Sequence, residues 1–251
     1  MKISARHRLV ALTAATALAV GTAIALAPGA SADGAGWPAV DGRIAVINDG
    51  VMSVDVDGND MKRVSNSPED ESPAWSPDGS RVVVENAGEL QTVGLTSLTP
   101  THVYSGSNGG ASHPTYWTYG RKIVFSAGKK LYSLSSGGGT AVRLLATGGC
   151  DLMPSGDATG RLLAFQRNGT GCTTTTPSVM LYDATTKAET KLAPGTSPAI
   201  SPDGTKVAFI RTVDGHRQLF SINTDGTGER RLTVDADSGQ RKILVGGQVR
   251  S

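Results

Sequence analysis

Two cysteines, four histidines and twelve aromatic side chains are spread over 251 residues. That scarcity excludes several chemistries before any motif is sought. No CxxC pair, HExxH helix, GxSxG elbow or phosphate-binding loop occurs, so zinc sites, metalloproteases, serine hydrolases of the elbow type and P-loop nucleotide binding find no residues to rest on. The stretch VDVDGNDM (54–61) places its glycine two positions too early for an EF-hand and has no glutamate at the twelfth position. A basic excess is also missing. Lys2, Arg6 and Arg8 belong to the first eight residues, which leaves 21 Lys and Arg against 22 Asp and Glu in residues 33–251. A near-neutral chain poor in aromatics has neither the counterion release nor the stacking platforms of a nucleic-acid binder, so none is expected as partner.

What is present begins with a leader. The basic start is followed by the apolar run VALTAATALAVGTAIALA (10–27), the Pro28-Gly29 break and the small residues Ala30-Ser31-Ala32, which together read as a signal peptide over 1–32 cut before Asp33. Kept uncut, the same run approaches the length of a membrane span, but its alanine-rich composition and the Pro-Gly break favour removal. No cysteine follows it to take a lipid. The expected location is therefore extracytoplasmic, secreted or periplasmic, with no stable membrane insertion after cleavage.

The remainder, 33–251, repeats itself. SPAWSPDGSRVVVE (72–85) returns as SPAISPDGTKVAFI (197–210), with fainter copies at 36–48, 111–126 and 152–166. The last apolar residue of each copy, Val46, Val84, Phe125, Phe165 and Phe209, recurs at steps of 38, 41, 40 and 44, a period expected of propeller blades. Pro73, Pro114, Pro154 and Pro198 align, and Trp37, Trp75, Tyr116 and Ile200 share a large apolar column that Gly156 alone vacates. SPDG reads as a tight turn. RVVV, KIVF, LLAF and KVAF after it are strands buried on both faces, and the alternating stretches around DG, GGG or TTK turns are hairpins. The expected fold is an all-β propeller of four-stranded antiparallel blades, with units at about 36–69, 70–107, 108–149, 150–195 and 196–240. A partial sixth unit at 241–251 is expected because RKILV (241–245) echoes RKIVF (121–125).

At SPAWSPDGSR, SPAISPDGTK and INTDGTGERRLT the chain resembles the WD-like propeller repeat of the TolB family, across about residues 36–240. The resemblance implies the fold far more than an activity, because propellers of this type host many functions. No stretch resembles the separate N-terminal α/β domain of TolB itself. An envelope-assembly role with a peptidoglycan-associated partner is what the resemblance alone would imply.

Strand order supplies two further expectations. In an up-and-down blade, the connection from the fourth strand to the next blade lies on the same face as the connection between strands two and three. Cys150 and Cys172 occupy those two connections of the fourth unit, and a disulfide is expected between them, closing about 22 residues and contributing roughly 3 kcal/mol. The same face would present Asp70, Glu71, His113 and Asp151 at the mouth of the central channel as candidate binding residues. Asp and Glu before a strand also cap turns, and His113 shares its column with Ser72 and Ser197. No catalytic residue, metal ligand or cofactor is expected. The sequence thus reads as a non-catalytic binding scaffold for a protein partner or extracellular ligand. The alternative is a hydrolase or lyase acting on a carbohydrate or lactone at the channel mouth.

Overall fold

Proline columns and apolar runs at a period near forty do build propeller blades. In a computed structural model, described here for residues 25–26, 43–55, 58–145, 149–174 and 176–233, there are five antiparallel sheets of four strands and no α-helix among the described residues. Blade 1 holds β1 (Ala25–Leu26), β2 (Arg43–Ile47), β3 (Val51–Asp55) and β4 (Lys62–Arg63). Blade 2 holds β5 (Asp70–Trp75), β6 (Arg81–Asn86), β7 (Glu89–Gly94) and β8 (Pro100–Tyr104). Blade 3 holds β9 (Ala111–Trp117), β10 (Lys122–Ala127), β11 (Lys130–Ser135) and β12 (Val142–Arg143). Blade 4 holds β13 (Cys150–Gly156), β14 (Leu162–Asn168), β15 (Ser178–Asp183) and β16 (Glu189–Pro194). Blade 5 holds β17 (Thr196–Ile200), β18 (Lys206–Val213), β19 (His216–Asn223) and β20 (Arg230–Arg231). The first strands of successive blades pack on one another, so they line the axis, and the fourth strands form the rim.

Stacking hides the apolar faces. Successive side chains of a strand point to opposite faces, so each second strand serves two neighbours. Phe125, with no exposure, turns to blade 2, while Val124 beside it turns to blade 4. Phe165 and Ala164 divide in the same way between blades 3 and 5. Phe209 packs back on blade 4, and Val84 packs back on blade 1.

The aligned prolines explain an irregularity common to the inner strands. A proline within a sheet cannot donate to the ladder, and at each one the pairing slips by a bulge. The residue before it, Ser72, His113, Met153 or Ser197, takes φ near +50°. That left-handed backbone costs a non-glycine residue about 1–2 kcal/mol. It also aims an amide across the junction. The Met153 amide donates to Ser126 Oγ of blade 3 at 3.1 Å, and the Ser197 amide donates to Gln166 Oε1 of blade 4 at 3.1 Å.

In blade 1 the structure departs from the sequence reading. The repeat copy at 36–48 puts Trp37 in the large apolar column of the inner strand. Instead Ala25 pairs with Ala45 and Leu26 with Ile44, the register that Ala74 and Trp75 adopt on Val83 and Val82. Ala25-Leu26 followed by Pro28-Gly29 imitates the order of Ala74-Trp75 before Pro77 and Gly79, so the leader carries a passable copy of the same corner. Trp37, the rest of the expected signal peptide and the partial sixth unit lie outside the described residues.

Candidate functional site at the channel mouth

The two cysteines identify the face. Cys150 opens β13, Cys172 lies in the connection from β14 to β15, and they are disulfide-bonded with Cα atoms 5.3 Å apart. The expected bridge therefore ties the long loop of blade 4 to the start of its inner strand, and the two kinds of connection do share one face.

The four candidate residues start inner strands on that face, but they separate into two kinds. Asp70 is buried, and Asn86, its register partner on β6, donates to its Oδ1 at 2.7 Å. Asp151 is buried too, and Arg167, its register partner on β14, grips both carboxylate oxygens at 2.7 and 2.9 Å. Arg167 reaches Glu189 as well at 2.7 Å, and these carboxylates, Asp151 foremost, raise the guanidinium above its ordinary value. Buried carboxylates persist when paired in this way. Asp70 and Asp151 thus fasten the first two strands of their blades together.

Glu71 and His113 are the accessible pair. Glu71 is exposed and stands directly opposite Glu85 in the β5–β6 register, so two carboxylates share one face of the blade, and no basic side chain among the described residues is bonded to either. Glu85 is half-buried, and its carboxyl is raised above the usual range, first by desolvation and second by the charge of Glu71. His113 is half-buried at the neighbouring bulge. Its imidazole is lowered below its ordinary value by desolvation, with Glu71 pulling the other way, and its Nδ1 is buried without a hydrogen-bond partner. Pro68, Glu69, Glu71, Glu85 and Ala87 line a shallow cavity of about 530 Å³ here. Among the described residues no group of three His, Cys, Asp or Glu is arranged to hold a metal ion.

Glu85 and Glu69 escaped the sequence reading. Glu85 ends the repeat clause itself, and its column reads Ile47, Glu85, Ser126, Gln166 and Ile210, so an acid interrupts a series of neutral residues. That break was the available signal; only the bulged register shows that it falls opposite Glu71.

Comparison with known proteins bears on this geometry through the fold. The family model described as TolB beta propeller domain matches residues 13–242. Among solved structures, TolB from Acinetobacter baumannii superposes with TM-score 0.65 at 20% identity, over 73% of this chain and 49% of its own. A putative TolB from Agrobacterium tumefaciens gives 0.62 at 24%, over 70% and 66%. An oligogalacturonate lyase from Vibrio parahaemolyticus gives 0.54 at 12%, over 78% and 64%. The chain spans about half the length of the first of these and just under two thirds of the other two. No curated protein matches it.

Proposed function

The chain belongs to the TolB β-propeller family, and from that premise we propose that it acts outside the cytoplasm as a non-catalytic binding scaffold. Its partner is a protein or extracellular ligand engaged on the disulfide-bearing face. The observation that carries this reading is the uncompensated carboxylate pair. Glu71 and Glu85 face the same way across a strand pair, a like-charge arrangement that a sheet does not adopt for its own stability. A cationic group placed between them, a lysine or arginine side chain of a partner, relieves that repulsion. Asp70 and Asp151 serve the same mouth from beneath by holding its strands. The disulfide supports an extracytoplasmic location, where such bonds persist.

The test is capture of partners from culture supernatant and envelope extract by the mature protein, read against a Glu71→Gln, Glu85→Gln double variant. Capture that is salt-sensitive and lost in the variant supports the reading; undiminished capture by the variant overturns it. The envelope-assembly role predicts a peptidoglycan-associated protein in the envelope fraction.

One observation favours a second reading. A raised carboxyl on Glu85 beside a solvated Glu71 is the kind of pair that divides acid and base roles in a hydrolase or lyase on a carbohydrate or lactone. Turnover of an oligosaccharide or lactone, abolished by Glu85→Gln with folding intact, would establish it in place of the scaffold.

A further inference from the structure

The face opposite the disulfide carries the turns that join first to second strands, and a basic side chain stands at or beside the start of each second strand. Arg43, Arg81, Lys122 and Lys206 open β2, β6, β10 and β18, and Arg161 stands just before β14. In blades 1, 4 and 5 these groups are engaged within their own blade. Arg43 donates to Asp60 at 3.0 Å, Arg161 holds Asp183 through two nitrogens at 3.1 Å each, and Lys206 donates to Asn223 at 2.8 Å. In blades 2 and 3 the third-strand residues opposite Arg81 and Lys122 are Gly94 and Ser135, which carry no charge. Arg81, Arg121 and Lys122 are all exposed and outnumber the one acid of these two turns, Asp78, whose Oδ1 is already taken by Ser76 and the Ser80 amide. The two turns lie side by side. A Cβ on Gly120 would stand 3.0 Å from Cδ of Pro77, and the Tyr116 hydroxyl of blade 3, pushed up by burial, also feels the charges of Arg81 and Asp78 in blade 2.

The turn of blade 3 is also built differently from its counterparts. Thr118 and Tyr119 have φ of +56° and +53°, a left-handed state that disfavours any residue with a Cβ. The matching pairs Pro77-Asp78, Ala158-Thr159 and Pro202-Asp203 have no left-handed residue before the closing glycine. Their second side chains cap the turn instead: Asp78 accepts the Ser80 amide at 3.1 Å, Thr159 the Arg161 amide at 3.2 Å and Asp203 the Thr205 amide at 3.0 Å. A tyrosine cannot make that bond, and the Tyr119 ring is 57% exposed. Its amide is pinned from the next blade by the Ala158 carbonyl at 2.8 Å. Blade 3 thus gives up a cap and takes on backbone strain, and what it presents in exchange is an aromatic ring on a braced turn among three cations. Strain held in place by its neighbours, where a local rule is broken without local gain, marks a contact site.

We propose that the turns of blades 2 and 3 form a second binding surface, on which an acidic segment of a protein partner lays its carboxylates on Arg81, Arg121 and Lys122 and an apolar side chain on Tyr119. The cations left without an acid in their own blade are confined to two neighbouring turns. That suits a short acidic stretch with one anchoring contact, whereas a long polyanion or a membrane would draw on charge spread over the whole face. The surface is independent of the mouth site, whose carboxylates have the opposite sign. Fluorescence anisotropy of a labelled octapeptide alternating glutamate and proline, titrated with the purified protein at low salt, tests it. Arg81→Gln with Lys122→Gln should weaken binding about tenfold. Tyr119→Asn should weaken it about threefold while raising Tm by about 2 °C, because asparagine accepts the left-handed backbone that tyrosine resists. Glu71→Gln with Glu85→Gln should leave it unchanged. No binding of the octapeptide, or undiminished binding by both turn variants, overturns the proposal. Equal or tighter binding of polygalacturonate or of phosphatidylglycerol vesicles, lost in the same variants, overturns the protein segment as occupant and makes the surface a polyanion or membrane site.

Discussion

The junction between blades 2 and 3 and the junction between blades 4 and 5 stand at the same place in the repeat and are finished differently. Between blades 4 and 5, Gln166 sits buried at the end of the apolar run and accepts the bulge amide of Ser197. Between blades 3 and 4, Ser126 does the same for Met153. Between blades 2 and 3 the corresponding residue is Glu85, which faces Glu71 beside a histidine whose Nδ1 has no partner. Neutral acceptors latch two junctions, and a carboxylate raised above its ordinary range, first by desolvation, occupies the junction of blades 2 and 3. At the junction of blades 1 and 2 the column holds the apolar Ile47, so Glu85 is the one place where a charged side chain departs from a neutral column. Such departures are where a repeat protein carries a function its packing does not require.

The largest expected effect comes from breaking a closed junction. A Cβ at Gly156 would lie 2.6 Å from Cδ1 of Trp117, whose indole nitrogen donates to the Leu162 carbonyl at 3.1 Å and is locked there. Gly156→Leu restores the column residue that Trp75, Tyr116 and Ile200 supply elsewhere, into space already filled by the preceding blade. It should cost about 3 kcal/mol, a Tm drop of roughly 6–12 °C in a chain of this size. Adding Trp117→Ser, the residue found at Ser76 and Ser201, should return part of that loss in a double-mutant cycle, whereas additive losses would refute the exchange of volume between the two sites. Next in size is converting a latched junction into the odd one. Gln166→Glu buries a carboxylate without a basic partner and should cost about 2 kcal/mol at pH 7. The new carboxyl is pushed upward by burial, so the loss should shrink as pH falls toward 4 and the group takes a proton. Equal melting temperatures for variant and parent at pH 7 would show that this column has no latching role.

These comparisons also explain what could be read in the chain beforehand. The turn, proline and apolar columns are local statements repeated at a fixed interval, and the five sheets, the buried Phe125, Phe165 and Phe209 and the Cys150–Cys172 bridge follow from them. Gly156 was visible only as a gap, because the residue that fills it, Trp117, lies 39 positions earlier and reaches across a junction. Asp70 and Asp151 were legible as residues on the face that carries the disulfide. Their burial was not, since it depends on partners at Asn86 and Arg167 that only the strand register brings opposite. Glu85 needed the same register, displaced by the bulge at Ser72 and Pro73. Blade 1 misled because Ala-Leu before Pro-Gly in the leader satisfies the same local rule as Ala-Trp before a proline corner, and a local rule cannot choose between two copies of itself.

The smallest expected effect has the opposite sign and bears most directly on function. Glu85→Gln places at the odd junction the residue that latches blades 4 and 5, removing one of two facing charges and supplying a neutral acceptor near the His113 bulge. It should stabilise the protein by about 0.5 kcal/mol at pH 7, a Tm rise of 1–2 °C, while abolishing capture of a cationic partner. The pH dependence separates this from a general surface effect. The folded protein holds the Glu85 proton more tightly than the unfolded chain, so the parent loses stability as pH rises from the ordinary glutamate range through Glu85's own, higher titration. His113 acts in reverse. Its folded imidazole resists protonation, so stability falls as pH drops from the ordinary histidine range toward His113's lower one. Both proteins carry His113, and the difference between their melting curves therefore isolates Glu85: close to zero in acid, growing with pH, then constant. A pH-independent difference would mean that neither burial nor the charge of Glu71 raises the Glu85 carboxyl in the folded protein. A stabilised variant that still binds would place the recognition elsewhere on the face.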